Sequence, residues 1–404
     1  MLKKYFLNKK RNFSIASIWI KGGSDMDSTR KKGINKILCS LLTRGCEGFD
    51  NFTLSEYIDS YGAELNQEVF EDGILISIKS LNEHFNKLYP LLDLLISKPV
   101  LSEIEFQKVK KFSIDLIRRD KENPFNICFE KWRKIVYANH PYAFNTTGNL
   151  NDVSNINYKD ILCEFKNFKI REKYLISNNS EINGKNIGTL EKNIPKEKSR
   201  LITCDLNSMN RFDYVINDSN QTIIMIGNQT CSRRSTEYLP LKVLEAYLSY
   251  GMSAALFKIF REKNGITYDL GVYYPVRSLN APFLVYLSVS NKKALLAFEL
   301  LSSLWKNLLL NPLIDADMFL AKEKLKGAFL LGNQSLDEIL QQKIQLISYG
   351  ITPLPEIYLN SEINRISSIE ILQLTNKYLS KPFLSISGNK KICLEITKRW
   401  NQNF

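Results

Sequence analysis

Leu256–Leu270 reads LFKIFREKNGITYDL, and two patterns of different period meet inside it. Leu256, Phe257 and Phe260 stand at i, i+1 and i+4, the apolar stripe of a helix end. Arg261, Glu262 and Lys263 follow, and Asn264-Gly265 has the composition of a C-cap. From there Ile266, Tyr268, Leu270 and Val272 alternate as a strand does. One tight turn therefore separates a permanent cation with forked donors, Arg261, from a phenolic donor, Tyr268. Such a pair can grip a peptide carbonyl, or the negative oxygen that forms when one is attacked. Local sequence by itself favours a plainer account. Arg261 would sit against the last carbonyls of its own helix, and Tyr268 would be a half-buried strand residue. The rest of the chain shifts that balance.

With 404 residues, two domains are expected, each with its own core. A composition of 44% hydrophobic and 24% charged residues excludes a chain disordered throughout. No apolar run reaches 18 residues, so no transmembrane helix is expected. Near the N-terminus, Phe13 to Ile20 is too short for a signal-peptide core, and Ile15, Ser17 and Trp19 read better as strand. A cytoplasmic protein is the expectation. The formal net charge, 55 − 42 = +13, is spread along the chain without aromatic-interleaved basic clusters. It reads as a solvated basic surface, with neither nucleic acid nor membrane as partner. The seven cysteines are dispersed and contain no CxxC, so free thiols are expected instead of a zinc cluster or disulfide frame.

In chain order, residues 13–24 read as a strand ending in Gly-Gly, and 33–43 as a helix ended by Gly45. Residues 53–61 read as a helix with Thr53 as N-cap and Glu56 completing a capping box. Glu68 to Ser80 gives two strands around Asp72-Gly73, and Leu88–Ile96 and Glu103–Arg119 give helices separated by Pro99. Trp132–Tyr137 leads into a His140-Pro141-Tyr142 turn, and 158–169 is a further helix. Polar residues 178–200 are the linker candidate. The second half repeats the plan: strand 222–226, helix 240–250 ended by Gly251, strand 283–290. In both halves an apolar helix end meets a proline (Pro99, Pro312), followed by a phenylalanine (Phe106, Phe319) and a lysine (Lys111, Lys324), at a shift of 312 − 99 = 213. Two similar α/β units are expected, 1–185 and 200–404.

Three segments carry a resemblance: GSDMDSTRKKGINKILCSLLTRG (23–45), YANHPYAFNTTGNL (137–150) and YGMSAALFKIFREKNGITYDLGVYY (250–274). Together they resemble the pitrilysin/insulinase family of zinc metallopeptidases. The likeness is greatest to short bacterial members and to the subunits of mitochondrial processing peptidase. The resemblance implies an α+β fold of two homologous α/β roll domains, each a mostly antiparallel sheet packed by helices. Active members carry H-x-x-E-H on the first helix and a distal glutamate. Two histidines one turn apart and the carboxylate hold zinc, and the inner glutamate takes a proton as water attacks.

Here those positions hold Lys36, Cys39 and Ser40, with Leu116 at the distal one. The chain's two histidines, His84 and His140, are 140 − 84 = 56 residues apart, so no H-x-x-x-H helix exists anywhere in it. Lys36 puts a cation where a dication would bind. His84 reads as a surface helix residue and His140 as a turn residue. The family's arginine-tyrosine pair, by contrast, is present, with 268 − 261 = 7. The resemblance gives Tyr268 the oxyanion and Arg261 the substrate backbone, with Gly251 and Ser253 shaping the approach. It implies a non-zinc subunit, inactive alone, that binds no cofactor itself and completes a heterodimeric peptidase with an H-x-x-E-H partner carrying zinc. The alternative is a catalytically silent structural or peptide-binding member. An adjacent gene encoding an H-x-x-E-H relative separates the two.

Overall fold

The computed structural model describes residues 2–9, 11–189, 211–332, 335–353 and 356–404, without the side chains of 189, 268, 331, 356 and 357. The first half runs β1 (Leu2–Phe6), β2 (Phe13–Lys21), α1 (Ile34–Leu42), α2 (Asn51–Ser60), β3 (Glu64–Val69) and β4 (Gly73–Leu81). It continues with α3 (Phe85–Ser97), α4 (Glu103–Asp120), α5 (Pro124–Tyr137), α6 (Leu150–Asn155), α7 (Tyr158–Ile170), β5 (Lys173–Ser177) and β6 (Lys185–Asn186). The second half runs β7 (Phe212–Ile216), β8 (Gln221–Gln229), α8 (Tyr238–Ser249), a π-helix (Phe257–Lys263), β9 (Thr267–Tyr273) and β10 (Pro282–Ser290). Then come α9 (Ala294–Leu310), α10 (Asp315–Gly332), α11 (Leu336–Ser348), α12 (Glu356–Arg365), α13 (Ser368–Leu379), β11 (Phe383–Gly388) and α14 (Lys390–Asn403).

Two sheets form, in the orders β3-β4-β2-β5-β1-β6 and β7-β11-β8-β10-β9. Within the first, β3, β4, β2 and β5 are antiparallel neighbours, and β1 adds in parallel to β5. Within the second, β11, β8, β10 and β9 are antiparallel, and β7 adds in parallel to β11. This is the expected α+β architecture of mostly antiparallel sheets packed by helices.

The chain divides into two compact units, each assembled from three stretches. The first takes Met1–Arg119, Phe144–Ile194 and Gly332–Pro353; the second takes Asp120–Ala143, Pro195–Leu331 and Leu354–Phe404. In the first unit β2 is buried on both faces. Ala16, Ile18 and Ile20 join a core with α1 and α3, while Ile15 and Trp19 meet Leu336, Leu340 and Ile344 of α11. Burial on both sides explains why its apolar residues run on instead of strictly alternating. The Tyr349 hydroxyl, just past α11, donates to Asp72 at 2.8 Å and accepts from Gln345. Gly73, beside that aspartate, has no room for a side chain: a Cβ would lie 2.2 Å from the Trp19 ring.

In the second unit α5 lies on β8 and β11. Trp132 Nε1 donates to the Phe383 carbonyl at 3.3 Å, and the Ser385 hydroxyl donates to the Cys128 carbonyl at 2.9 Å. The sequence pattern names no helix here, only Trp132–Tyr137 leading into a turn, whereas Pro124–Tyr137 forms a helix. It starts at Pro124, where the absent N–H costs nothing, with the Asn123 side chain accepting from Phe125 N–H.

Three other expectations need correction. The helix expected at 53–61 begins at Asn51, and its capping box is Asp50 with Thr53, not Thr53 with Glu56. Part of the linker candidate is structured: Lys185–Asn186 pairs with Tyr5–Phe6, and Ile182 and Ile187 are buried. Residues 190–200 of that candidate lie outside the described residues. The matched phenylalanines are not equivalent. Phe106 is 1% exposed, Phe319 is 65% exposed, and Met318, at a shift of 318 − 106 = 212, is the residue in the core. One residue on a helix is about 100° of rotation, so an alignment off by one trades core for surface. Met318→Ala is therefore expected to cost about 2–5 kcal/mol in urea unfolding, and Phe319→Ala to stay within about 0.5 kcal/mol.

Candidate functional site

The arginine-tyrosine segment lies wholly in the second unit and is built from two irregular pieces of backbone. After α8, Gly251 turns the chain at φ +73, where its carbonyl accepts from Ala254 N–H at 3.1 Å. Ala254, Leu256 and Phe260 are buried and fix the start of the next helix. That helix is not the α-helical end expected. Residues Phe257–Lys263 are a π-helix, wider by a residue per turn. Its exit is locked by bonds that skip the usual spacing. Ile266 N–H donates to the Phe260 carbonyl at 2.7 Å, and the Asn264 side chain donates to the Ile259 carbonyl at 2.8 Å. Gly265 takes φ +53, and the Lys293 ammonium holds its carbonyl at 2.7 Å. Arg261 stands exposed on this helix, its guanidinium 4.9 Å from the centre of the Phe257 ring.

Across the turn β9 begins with a bulge. Asp269 pairs with Ser288 and Thr267 with Val289, so Tyr268 is the extra residue with no opposite number on β10. The Thr267 hydroxyl bridges the irregularity, bonding the Ser288 and Asp269 carbonyls. The alternation expected from Ile266 to Val272 thus breaks at Tyr268, whose side chain lies outside the description. The bond between Ile266 and Phe260 closes the turn, which keeps the backbones of Arg261 and Tyr268 on its two sides. Among the described residues, β9 has β10 on one edge and no strand on the other. Gly251 and Ser253 are exposed in the turn before the π-helix.

The degenerate metal positions lie in the first unit. Lys36, Cys39 and Ser40 are on α1 and Leu116 is on α4. Lys36, Ser40 and Leu116 are half-buried, while Cys39 is 1% exposed and packs in the core. Burial pushes the Cys39 thiol up to about 12, so it offers no thiolate. Glu68 of β3 is coupled to the Lys36 ammonium, and burial raises its carboxyl. A cation, a protonated thiol, a hydroxyl and a leucine do not suit zinc. Among the described residues no group of three or more His, Cys, Asp or Glu could hold a metal ion. His84 sits by the Tyr61 ring at 5.0 Å, and His140 Nδ1 accepts from Tyr142 N–H at 3.1 Å within its turn.

Sequence reasoning missed the polar support beneath α1. The Asp27 carboxylate accepts from Gly33 N–H at 2.7 Å and from the Asn35 main-chain and side-chain N–H groups at 3.1 and 2.8 Å. Arg171 donates to the Gly22 carbonyl and to Asn35, and is paired with Glu164. Burial raises both Asp25 and Asp27 to about 6, and for Asp25 the nearby Asp72 carboxylate adds to it. An aspartate ahead of a helix start was the available signal.

α8 occupies the corresponding place in the second unit. Counting back from the glycines that end the two helices, a shift of 251 − 45 = 206, Lys242 and Glu245 stand where Lys36 and Cys39 stand. They form an ion pair at 2.6 Å, with side chains 14% and 8% exposed. The Lys242 ammonium also donates to the Tyr274 carbonyl at 3.0 Å, and a lysine with one carboxylate is not a metal ligand set.

The second unit thus carries the arginine-tyrosine turn, and α1 of the first carries Lys36, Cys39 and Ser40 where the resemblance expects zinc ligands. Comparison with known proteins agrees. Residues 6–149 match the family model described as Insulinase (Peptidase family M16), and residues 175–325 match that described as Peptidase M16 inactive domain. A Rickettsia felis protein described as an uncharacterized zinc protease is 22% identical over 371 residues, covering 89% of this chain and 88% of that one. One of Bacillus subtilis with the same description is 19% identical, covering 92% and 93%. Among solved structures, a peptidase M16 inactive domain from Pseudomonas fluorescens superposes with TM-score 0.79 at 18% identity, covering 96% and 95%. A protease from Helicobacter pylori does so with TM-score 0.79 at 16% identity, covering 94% and 95%. The chain belongs to the M16 peptidase family and, without the zinc motif, is a catalytically inactive member of it.

The raised Asp25 carboxyl sets a pH dependence. Because its folded value, about 6, lies above the ordinary 3.8, its contribution to stability is full below about 3.8 and is lost as pH rises through 6. Asn at this position keeps an oxygen for the Gly23 N–H, which Asp25 accepts at 2.8 Å. Asp25→Asn is expected to be more stable than the parent by about 1–3 kcal/mol at pH 7.5 and equal to it near pH 4, read as urea midpoints.

Proposed function

We propose that this chain is the non-zinc subunit of a two-subunit metalloendopeptidase that cleaves or processes peptides. Arg261 and Tyr268 serve a reaction whose zinc is bound by a homologous H-x-x-E-H subunit. The observation that carries the reading is the pairing of a π-helix with a strand bulge on the two sides of one turn, each bearing one member of the pair. Such irregularities are enriched at functional sites, because they redirect a side chain at the expense of regular hydrogen bonding. A scaffold protein has no need of both.

In the closed complex a peptide would add along the open edge of β9 through main-chain bonds. Arg261 would hold its backbone, and Tyr268 would donate to the carbonyl oxygen as that oxygen gains negative charge. Gly251 and Ser253 would border the entry. Water activation belongs to the partner, and this chain supplies no step of it. The six described cysteines are free, which suits a reducing compartment such as the cytoplasm.

Co-purification with an H-x-x-E-H partner, followed by peptide cleavage with and without this chain, tests the reading. The chain alone is expected to be inactive and the pair active. Tyr268→Phe should lower turnover about 10²-fold, the scale of one oxyanion donor. Arg261→Ala should act mainly on KM. Turnover unchanged in Tyr268→Phe removes that residue from the mechanism. A stable complex that cleaves nothing favours a peptide-binding or structural role.

A further inference from the structure

The charges around the π-helix are unbalanced. Lys258 and Lys263 lie on it, Lys292 lies at the entry to α9, and Lys324 lies on α10. Each is at least partly exposed, and none makes a hydrogen bond or ion pair among the described residues. Lys258 and Lys324 are near enough for one ammonium to disfavour the other: burial and then Lys258 hold Lys324 below its ordinary value. Lysines nearby in the same unit are quenched by carboxylates, Lys326 by Glu323 at 2.5 Å and Lys377 by Glu237 at 2.6 Å. With Arg261 and Lys293, the ridge holds six cations. The elements around it, the π-helix, β9, residues 291–293 and α10, also hold Lys322 and Lys326, against the five carboxylates Glu262, Asp269, Asp315, Asp317 and Glu323, an excess of 8 − 5 = 3 positive charges.

An excess of like charge held together costs stability, and an incoming anion relieves that cost. Lys258 and Lys263 are five apart, about one turn of a π-helix, so the ridge runs from α10 along that helix to its exit, where Lys293 holds the Gly265 carbonyl. That turn enters β9, which among the described residues has no strand on its other edge. A chain added to that edge would carry alternate side chains past the lysines. Nucleic acid fits less well. The Arg261 guanidinium lies over one face of the Phe257 ring, which leaves that face unavailable to a stacking base.

We propose that this lysine ridge beside Arg261 selects acidic peptide segments as the substrate class of the site. The inference rests on the peptide-binding reading of the arginine-tyrosine turn. Its test uses the full chain and two labelled peptides of equal length, one with glutamate and one with lysine at alternate positions. Anisotropy is read at about 50 and 200 mM salt. The acidic peptide is expected to bind about tenfold tighter, with the preference shrinking as salt screens the ridge. Lys258→Glu with Lys324→Glu should reverse the preference, the milder Lys258→Gln with Lys324→Gln should abolish it, and the distant Lys398→Glu should leave it unchanged. Equal affinity for the two peptides, binding of neither, or a preference that survives the double variants overturns the proposal. So does a single-stranded oligonucleotide that outcompetes the acidic peptide. Cleavage with the zinc-motif partner separates the two ideas: cleavage without charge preference sinks only the ridge, and charge preference without cleavage sinks only the peptidase role.

Discussion

Both sheets in this protein bury two faces, and the second face of each is covered from far along the chain. Trp19 and Ile15 of β2 are shielded by Leu340 and Ile344, more than three hundred residues away. On β11, Ser385 and Phe383 are held by Cys128 and Trp132. A strand covered on one side only would present its indole and isoleucines to water, and an apolar face of that size invites aggregation. Neither unit is therefore complete as a contiguous piece of sequence. The long-range closure that results raises contact order, and a fold of this kind gains its stability late, once distant helices have docked.

Much of that architecture was legible where a single physical signal acts locally. β2, α1, α4, α8 and β10 follow from period and from their bounding glycines and prolines. Boundaries failed where two signals compete. Asp50 outbid Thr53 as N-cap because the aspartate side chain could take the Thr53 N–H while the threonine hydroxyl returned the bond to the Asp50 N–H. α5 was missed because its apolar residues face a sheet formed by the other half, which no local window contains. The pairing of Phe106 with Phe319 failed because residue identity was matched where helical phase decides burial.

For the site, residue types were legible and backbone irregularities were not. Nothing in FKIFREK distinguishes a π-helix from an α-helix, since the extra residue is imposed by the buried ends, Phe260 and Ile266. A bulge likewise depends on the register of β10, fixed elsewhere. The polar scaffold under α1 was missed for a similar reason. Asp27 and Arg171 are far apart in sequence, and their joint bonds to Asn35 and its neighbours appear only on folding.

The two vestiges of a peptidase in this chain have been treated differently by its physics. On α1 the former metal face has been absorbed into ordinary structure: Cys39 is a core residue with an inert thiol, and its burial adds packing where a carboxylate would have needed solvent or a cation. The helix there is a regular α-helix, entered and left through Gly33 and Gly45. At the arginine-tyrosine turn the opposite holds. A π-helix, a glycine at positive φ and a bulged edge strand all lie within a dozen residues, each less stable than the regular alternative. Regularising that segment would be an easy gain in stability if nothing depended on it. Irregular backbone kept at one position beside regular packing at the other is the asymmetry that the proposed role of a non-zinc subunit calls for.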